Sequence, residues 1–148
     1  MRIWISNRQR KVIISPEKIR KKAEKILNAL GWSEAELSLT LISDRPMALL
    51  NRQTFGRRGP TNVISFPLHP TPVPGGPPPL LGEVVISLET CARQAQESGW
   101  PPEELFDFFL IHGILHLLDY DHDTPEHEAR MEAKTRELMT LLYPGISY

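Results

Sequence analysis

The spacing of apolar residues changes period several times along the chain, and each change marks an element. Ile19, Ala23, Ile26, Leu27 and Leu30 recur three or four positions apart, the spacing of one helix face. Ser15 and Pro16 supply a hydroxyl cap and a proline at the first helical position, and Gly31 closes the helix. Upstream, Arg2-Ile3-Trp4-Ile5 and Val12-Ile13-Ile14 read as a first strand or a strand pair. Downstream, Leu37, Leu39 and Leu41 alternate with polar residues, which is strand periodicity. Asp44 then reads as the cap of a short helix running from about Pro46 to Gln53. Gly56 to Pro60 forms a loop, and Val63-Ile64-Ser65-Phe66 a short strand stopped by Pro67.

The second half repeats the alternation. Glu83 to Ser87 reads as a strand and Glu89 to Glu97 as a helix. A long apolar helix is expected from about Glu103 to Leu118. Thr124 and Pro125 repeat the cap-plus-proline start, and a last helix runs to about Leu142 with Met131, Thr135, Leu138 and Leu142 on one side. Between positions 67 and 81 lie seven of the 14 prolines, with Gly75-Gly76 in the middle. Proline lacks an amide donor and has a fixed φ, so this stretch is excluded from central sheet and helix. Strand signals flank it, which makes it a loop insertion within one domain. Interleaved strands and helices predict an α/β (α+β) fold: a single domain, residues 1–148, with a small mixed sheet packed against helices.

Composition adds limits. A chain of 148 residues is the size of one domain with its own core. Cys91 is the only cysteine, so no internal disulfide can form. The stretch Leu105 to Leu118 is interrupted by Asp107, His112 and His116 and is too short and polar to span a bilayer. No apolar signal segment follows Met1. The expectation is a cytoplasmic protein with no membrane association. The net charge is −1, yet nine of the 17 basic residues fall in the first 25 positions. Lys18, Lys21, Lys22 and Lys25 are expected on the outer side of the first helix, a basic face suited to a polyanion.

The chemistry concentrates in one segment. His112 and His116 are four apart, so on a helix both imidazoles can reach one ion. His122 follows six residues later; a continuing helix would carry it about 9 Å along the axis and to another side. The chain must therefore turn near Asp119, where aspartate tolerates the left-handed conformation. Three imidazoles holding one Zn²⁺ per chain, on a helix and the turn after it, leave a fourth position for water of lowered pKa. The spacing matches the zinc-protease motif HExxHxxGxxH, but Gly113 stands where those enzymes carry their general-base glutamate.

With His112-Gly113-Ile114-Leu115-His116-Leu117-Leu118-Asp119-Tyr120-Asp121-His122 in view, the chain resembles the YbeY family of bacterial rRNA maturation factors, zinc-dependent endoribonucleases. Leu50-Asn51 with Pro60-Thr61-Asn62-Val63-Ile64-Ser65-Phe66-Pro67, and Leu81-Gly82-Glu83-Val84-Val85-Ile86-Ser87, match two further signatures in the right order. The resemblance implies zinc on His112, His116 and His122, and single-strand cleavage in 3′-end maturation of small-subunit ribosomal RNA and in ribosome quality control. Its implied partners are ribosomal RNA and the small ribosomal subunit; it specifies no ribosomal-protein or GTPase partner. Two positions depart from the family pattern: Asp119 replaces a glycine, and Phe55 stands where a functional arginine precedes Gly56. Arg57 and Arg58 are then the candidate catalytic arginines, and Lys18, Lys21, Lys22 and Lys25 a candidate RNA track. Two other classes fit the histidines alone: a peptidase or amidase, and a ribosome-assembly factor whose metal is structural. Trp100, like Trp4 and Trp32, is expected to serve packing rather than base stacking.

Overall fold

A computed structural model describes residues 2–148; Met1, the first residue of the expected domain, lies outside the described residues. Among the described residues, four strands form one sheet and five helices pack on it. The elements are β1 (Arg2–Asn7), α1 (Pro16–Ala29), β2 (Glu36–Ile42), α2 (Asp44–Phe55), β3 (Val63–Pro67), β4 (Leu80–Ser87), α3 (Leu88–Ser98), α4 (Pro102–Leu117) and α5 (Pro125–Leu142). The strand order is β1-β2-β4-β3, with β3 antiparallel to β4 and the other pairs parallel. The proline-rich stretch is the long connection between β3 and β4.

The caps form as the local sequence dictates. Ser15 accepts from the Lys18 amide at the start of α1, and Thr124 accepts from the His127 amide at the start of α5. Two expectations shift. Ser43, not Asp44, occupies the cap position of α2. The Asp44 carboxylate instead accepts from Ser87, Thr90 and Arg93, tying α2 to the start of α3. Val12-Ile13-Ile14 is not a strand. The buried Gln9 side chain donates to the Val12 carbonyl and accepts from the Val12 amide, both at 2.9 Å, taking up the groups a neighbouring strand would need. Ile13 is left 98% exposed.

Strand β4 has both faces covered. Val84 and Ile86 join the main core with residues of α1, α3, α4 and α5, while Val85 packs with Ile42, Met47 and Ile64 beneath α2. Helix α4 is apolar nearly all round and runs through the main core, with Leu110, Ile111, Ile114 and Leu115 fully buried. It touches the sheet at Gly113. A Cβ there would stand 2.5 Å from Val84 Cγ1 and 3.2 Å from Val63 Cγ2. Ser65 on β3 donates its hydroxyl to the Gly113 carbonyl at 2.8 Å, which locks strand and helix together.

The first half of α4 carries a buried ion pair. Lys22 does not face outward: its Nζ lies 2.8 Å from Asp107 and 2.7 Å from Glu103. Asp107 is fully buried and also accepts from the Tyr143 hydroxyl, so α1, α4 and the end of α5 meet on one carboxylate. Burial disfavours the Lys22 ammonium, but hydrogen bonds and charge from Asp107 and Glu103 outweigh it and hold its pKa above the ordinary lysine value.

Gly113→Ala should lower stability by about 1–3 kcal/mol through overpacking against Val84. The same exchange on an exposed helix face raises stability by about 1 kcal/mol. Urea denaturation of the two proteins measures the difference, and an unchanged or higher midpoint would refute the close contact.

Candidate functional site

The last turn of α4 presents His112 and His116 side by side. Both rings are half-buried, and their Nε2 atoms are 3.0 Å apart. The helix then ends in a Schellman motif: the Tyr120 amide donates to the Leu115 carbonyl and the Asp119 amide to the His116 carbonyl. Asp119 takes the left-handed position with φ 67°, as the sequence required of a turn there. The turn brings the exposed His122 back beside the pair, its ring centroid 5.6 Å from His116 and 6.2 Å from His112. The three rings converge without closing on one point; among the described residues no trio of His, Cys, Asp or Glu already sits at coordination spacing.

The electrostatics favour neutral rings. Burial, reinforced by the neighbouring His116 and His122, lowers the His112 pKa to about 4. Burial and His122 also lower the His116 pKa, partly opposed by the Asp121 carboxylate. At neutral pH both rings are therefore free bases, the form that donates a nitrogen lone pair to a metal. Two nitrogens ligating one tetrahedral zinc at about 2.0–2.1 Å stand roughly 3.3 Å apart, close to what His112 and His116 show. The donor set of three imidazoles fits zinc, with His122 carried on an exposed turn.

The acidic residues of this turn have separate duties. Asp121 caps the His122 amide at 2.7 Å, and its Oδ1 lies 3.8 Å from His122 Nδ1. Asp123 pairs with His127 at 2.7 Å. Asp119 pairs with His69, whose Nε2 lies 2.7 Å away. His69 belongs to the proline-rich loop, so that loop is latched to the histidine turn; a contact across fifty positions has no local sequence signal.

Arg57 and Arg58 lie on the loop between α2 and β3 and are exposed, the Arg57 guanidinium 5.7 Å from the Phe55 ring centroid. This loop is anchored by Asn51, which donates to the Gly59 carbonyl at 3.0 Å, and by Asn62, which donates to Gln94 and accepts from the Val63 amide. It feeds β3, whose Val63 and Ser65 meet Gly113 beside His112. Of the four lysines, Lys18, Lys21 and Lys25 are exposed, whereas Lys22 is committed to Asp107. Glu83 on β4 accepts from the Thr40 hydroxyl at 2.6 Å.

A cavity of about 650 Å³ adjoins the histidines, lined by His112 and His122 together with residues of α4, α5 and the segment after α5. Trp100, Phe108 and Tyr148 contribute to its wall. Among the described residues, no helix is long and apolar enough to cross a membrane.

Comparison with known proteins agrees over nearly the whole chain. The family model described as Endoribonuclease YbeY matches residues 4–143. Proteins named Endoribonuclease YbeY from Geobacter metallireducens and Geobacter sulfurreducens are each 43% identical, the first over 96% of both chains and the second over 98% of both. The protein of that name from Syntrophotalea carbinolica is 45% identical over 92% of both chains. The solution structure of TM1509 from Thermotoga maritima superimposes with a TM-score of 0.62 at 25% identity, covering 97% of this chain and 99% of the other. With a family model matched over residues 4–143 and relatives 43% identical over nearly their whole length, the chain belongs to the Endoribonuclease YbeY family.

Proposed function

We propose that this endoribonuclease holds one zinc ion on His112, His116 and His122 and cleaves single-stranded RNA, acting in 3′-end maturation of small-subunit ribosomal RNA. The observation that carries the reading is the convergence of three imidazoles, with His112 and His116 held neutral by burial and with His112 and His122 lining a cavity. A zinc ion so held supplies Lewis acidity toward a phosphate and a water of lowered pKa. The chain itself supplies the frame. Helix α4 orients two imidazoles, the Asp119 turn returns the third, and the apolar surroundings of His112 limit water on that side.

A peptidase reading needs a carboxylate directly after the first histidine. Position 113 faces the sheet and has no room even for a Cβ, so a glutamate there could not reach the rings without displacing α4. Arg57 and Arg58 are the cations we assign to the scissile phosphate, since a guanidinium fork suits paired phosphate oxygens. Lys18, Lys21 and Lys25 extend a basic surface for the backbone of ribosomal RNA in the small subunit; Lys22 contributes to the fold instead.

Three outcomes are expected. His116→Ala should lose bound zinc and at least a hundredfold of RNA cleavage, with metal content and cleavage measured on the same preparations; cleavage that persists without metal would refute the assignment. Replacing Arg57 and Arg58 singly and together by alanine should lower RNA cleavage by about tenfold or more in the double variant with zinc content unchanged. Full activity in all three variants would exclude both arginines. In the metal-free protein His112 should titrate near pH 4 by NMR. The unfolded chain binds this proton near pH 6.5 and the folded chain does not. Stability contributed at this site is therefore complete above about pH 6.5 and declines as pH falls toward about 4.

A further inference from the structure

The cavity beside the histidines has a lining that zinc ligation and phosphate contact leave unexplained. Its walls are aromatic and apolar: the Trp100 and Phe108 rings meet edge to face at 5.7 Å, and Tyr148 stands 6.0 Å from Trp100. The Tyr148 hydroxyl is held by Glu104 at 3.2 Å, which keeps that ring in the wall. Met131, Thr135 and Met139, one stripe of α5, form another side. The adjacent stripe, Glu128, Glu132 and Arg136, is exposed along the same cavity. Its volume, about 650 Å³, is in the range of small-molecule sites of roughly 300–1,000 Å³.

Two carboxylates against one arginine make a poor seat for a phosphate. They suit a flat aromatic group whose edge carries hydrogen-bond donors. We propose that the cavity seats the nucleobase neighbouring the cleaved phosphodiester, packed among the differently tilted rings of Trp100, Phe108 and Tyr148 and with its donor edge toward Glu128 and Glu132. Single-stranded RNA is recognised in this way, by unstacked bases placed on aromatic rings and read at their edges. Guanine fits best: its N1–H and N2 amino group are adjacent donors that one carboxylate accepts together, and its O6 can accept from Arg136. Uracil offers a single N3–H between two carbonyls, which the carboxylates repel. The shared lining of His112 and His122 places the base beside the reacting centre, so this inference rests on the histidines being the cleavage site.

The test has two arms. In the first, guanosine 5′-monophosphate and uridine 5′-monophosphate are titrated into the metal-free full chain while the indole N–H signals of Trp4, Trp32 and Trp100 are followed by NMR. The guanosine nucleotide should move Trp100 alone and bind about tenfold more tightly than the uridine nucleotide. Trp100→Ala should weaken binding about tenfold. Glu132→Gln, an exposed change that leaves packing intact, should remove most of the preference for guanine. Shifts at Trp4 or Trp32 without Trp100, absence of binding at millimolar nucleotide, or equal affinity for both nucleotides would overturn the proposal.

In the second arm, the zinc-loaded chain cleaves short single-stranded RNAs in which one nucleotide at a time is guanosine, uridine or abasic. An abasic nucleotide beside the cut should lower kcat/KM about tenfold and the same change elsewhere should not. Cleavage indifferent to every base removes the pocket but leaves the zinc reading intact. Nucleotide binding at Trp100 with no RNA cleavage at all removes the cleavage reading and, with it, the place of this base beside a cleaved phosphodiester.

Discussion

The close contact between α4 and the sheet at Gly113 is the constraint on which the site depends. With no side chain at that position, the helix backbone settles onto Val84 and Val63, and Ser65 fastens it through the Gly113 carbonyl. His112 precedes this contact by one residue and His116 follows it by three, so the depth at which the helix lies sets where both rings stand. The same absence of a side chain excludes the carboxylate that would make this a peptidase centre. One small residue thereby serves packing and the choice of chemistry.

Helix α4 separates two kinds of polar burial. Toward its start, Asp107 meets Lys22 and Tyr143, joining three helices; among the described residues its Oδ1 has no partner, so the carboxylate is costly to bury and depends on its neighbours. Toward its end, the imidazoles carry no charge, because burial and mutual repulsion disfavour their protonated forms. A neutral ring is a ligand, whereas a charged one is only a cation. Between these ends the helix is apolar, which keeps the charged network apart from the two imidazoles. The turn after the helix adds adaptability: His122 and Asp119 are exposed, and the proline-rich loop reaches them through His69.

Much of the fold was legible because its signals are local. Serine and threonine caps, prolines at first helical positions, the alternation in β2 and the need for a left-handed residue at Asp119 each depend on a few neighbouring positions, and each is found where expected. Val12-Ile13-Ile14 reads as strand by the same logic and is not one. Apolar β-branched residues state a preference for extended backbone, but the side chain of Gln9 occupies the hydrogen bonds that would make the segment a strand. Lys22 sits among four lysines of similar spacing, and nothing near it in the chain distinguishes the one that turns inward.

By itself, then, the sequence determined the order of elements, the membership of the histidine trio, the turn that joins them and, through its matching signatures, the family. Tertiary structure decided which groups share a space. It set Lys22 on Asp107 across 85 positions, His69 on Asp119 across 50, and Ser65 on Gly113 across 48. It also turned Trp100 from a packing residue alone into part of a cavity wall beside His112. The physical reason is range: caps, periodicity and ligand spacing are properties of a few consecutive residues, whereas partners of a buried charge and walls of a cavity are chosen by how distant segments pack.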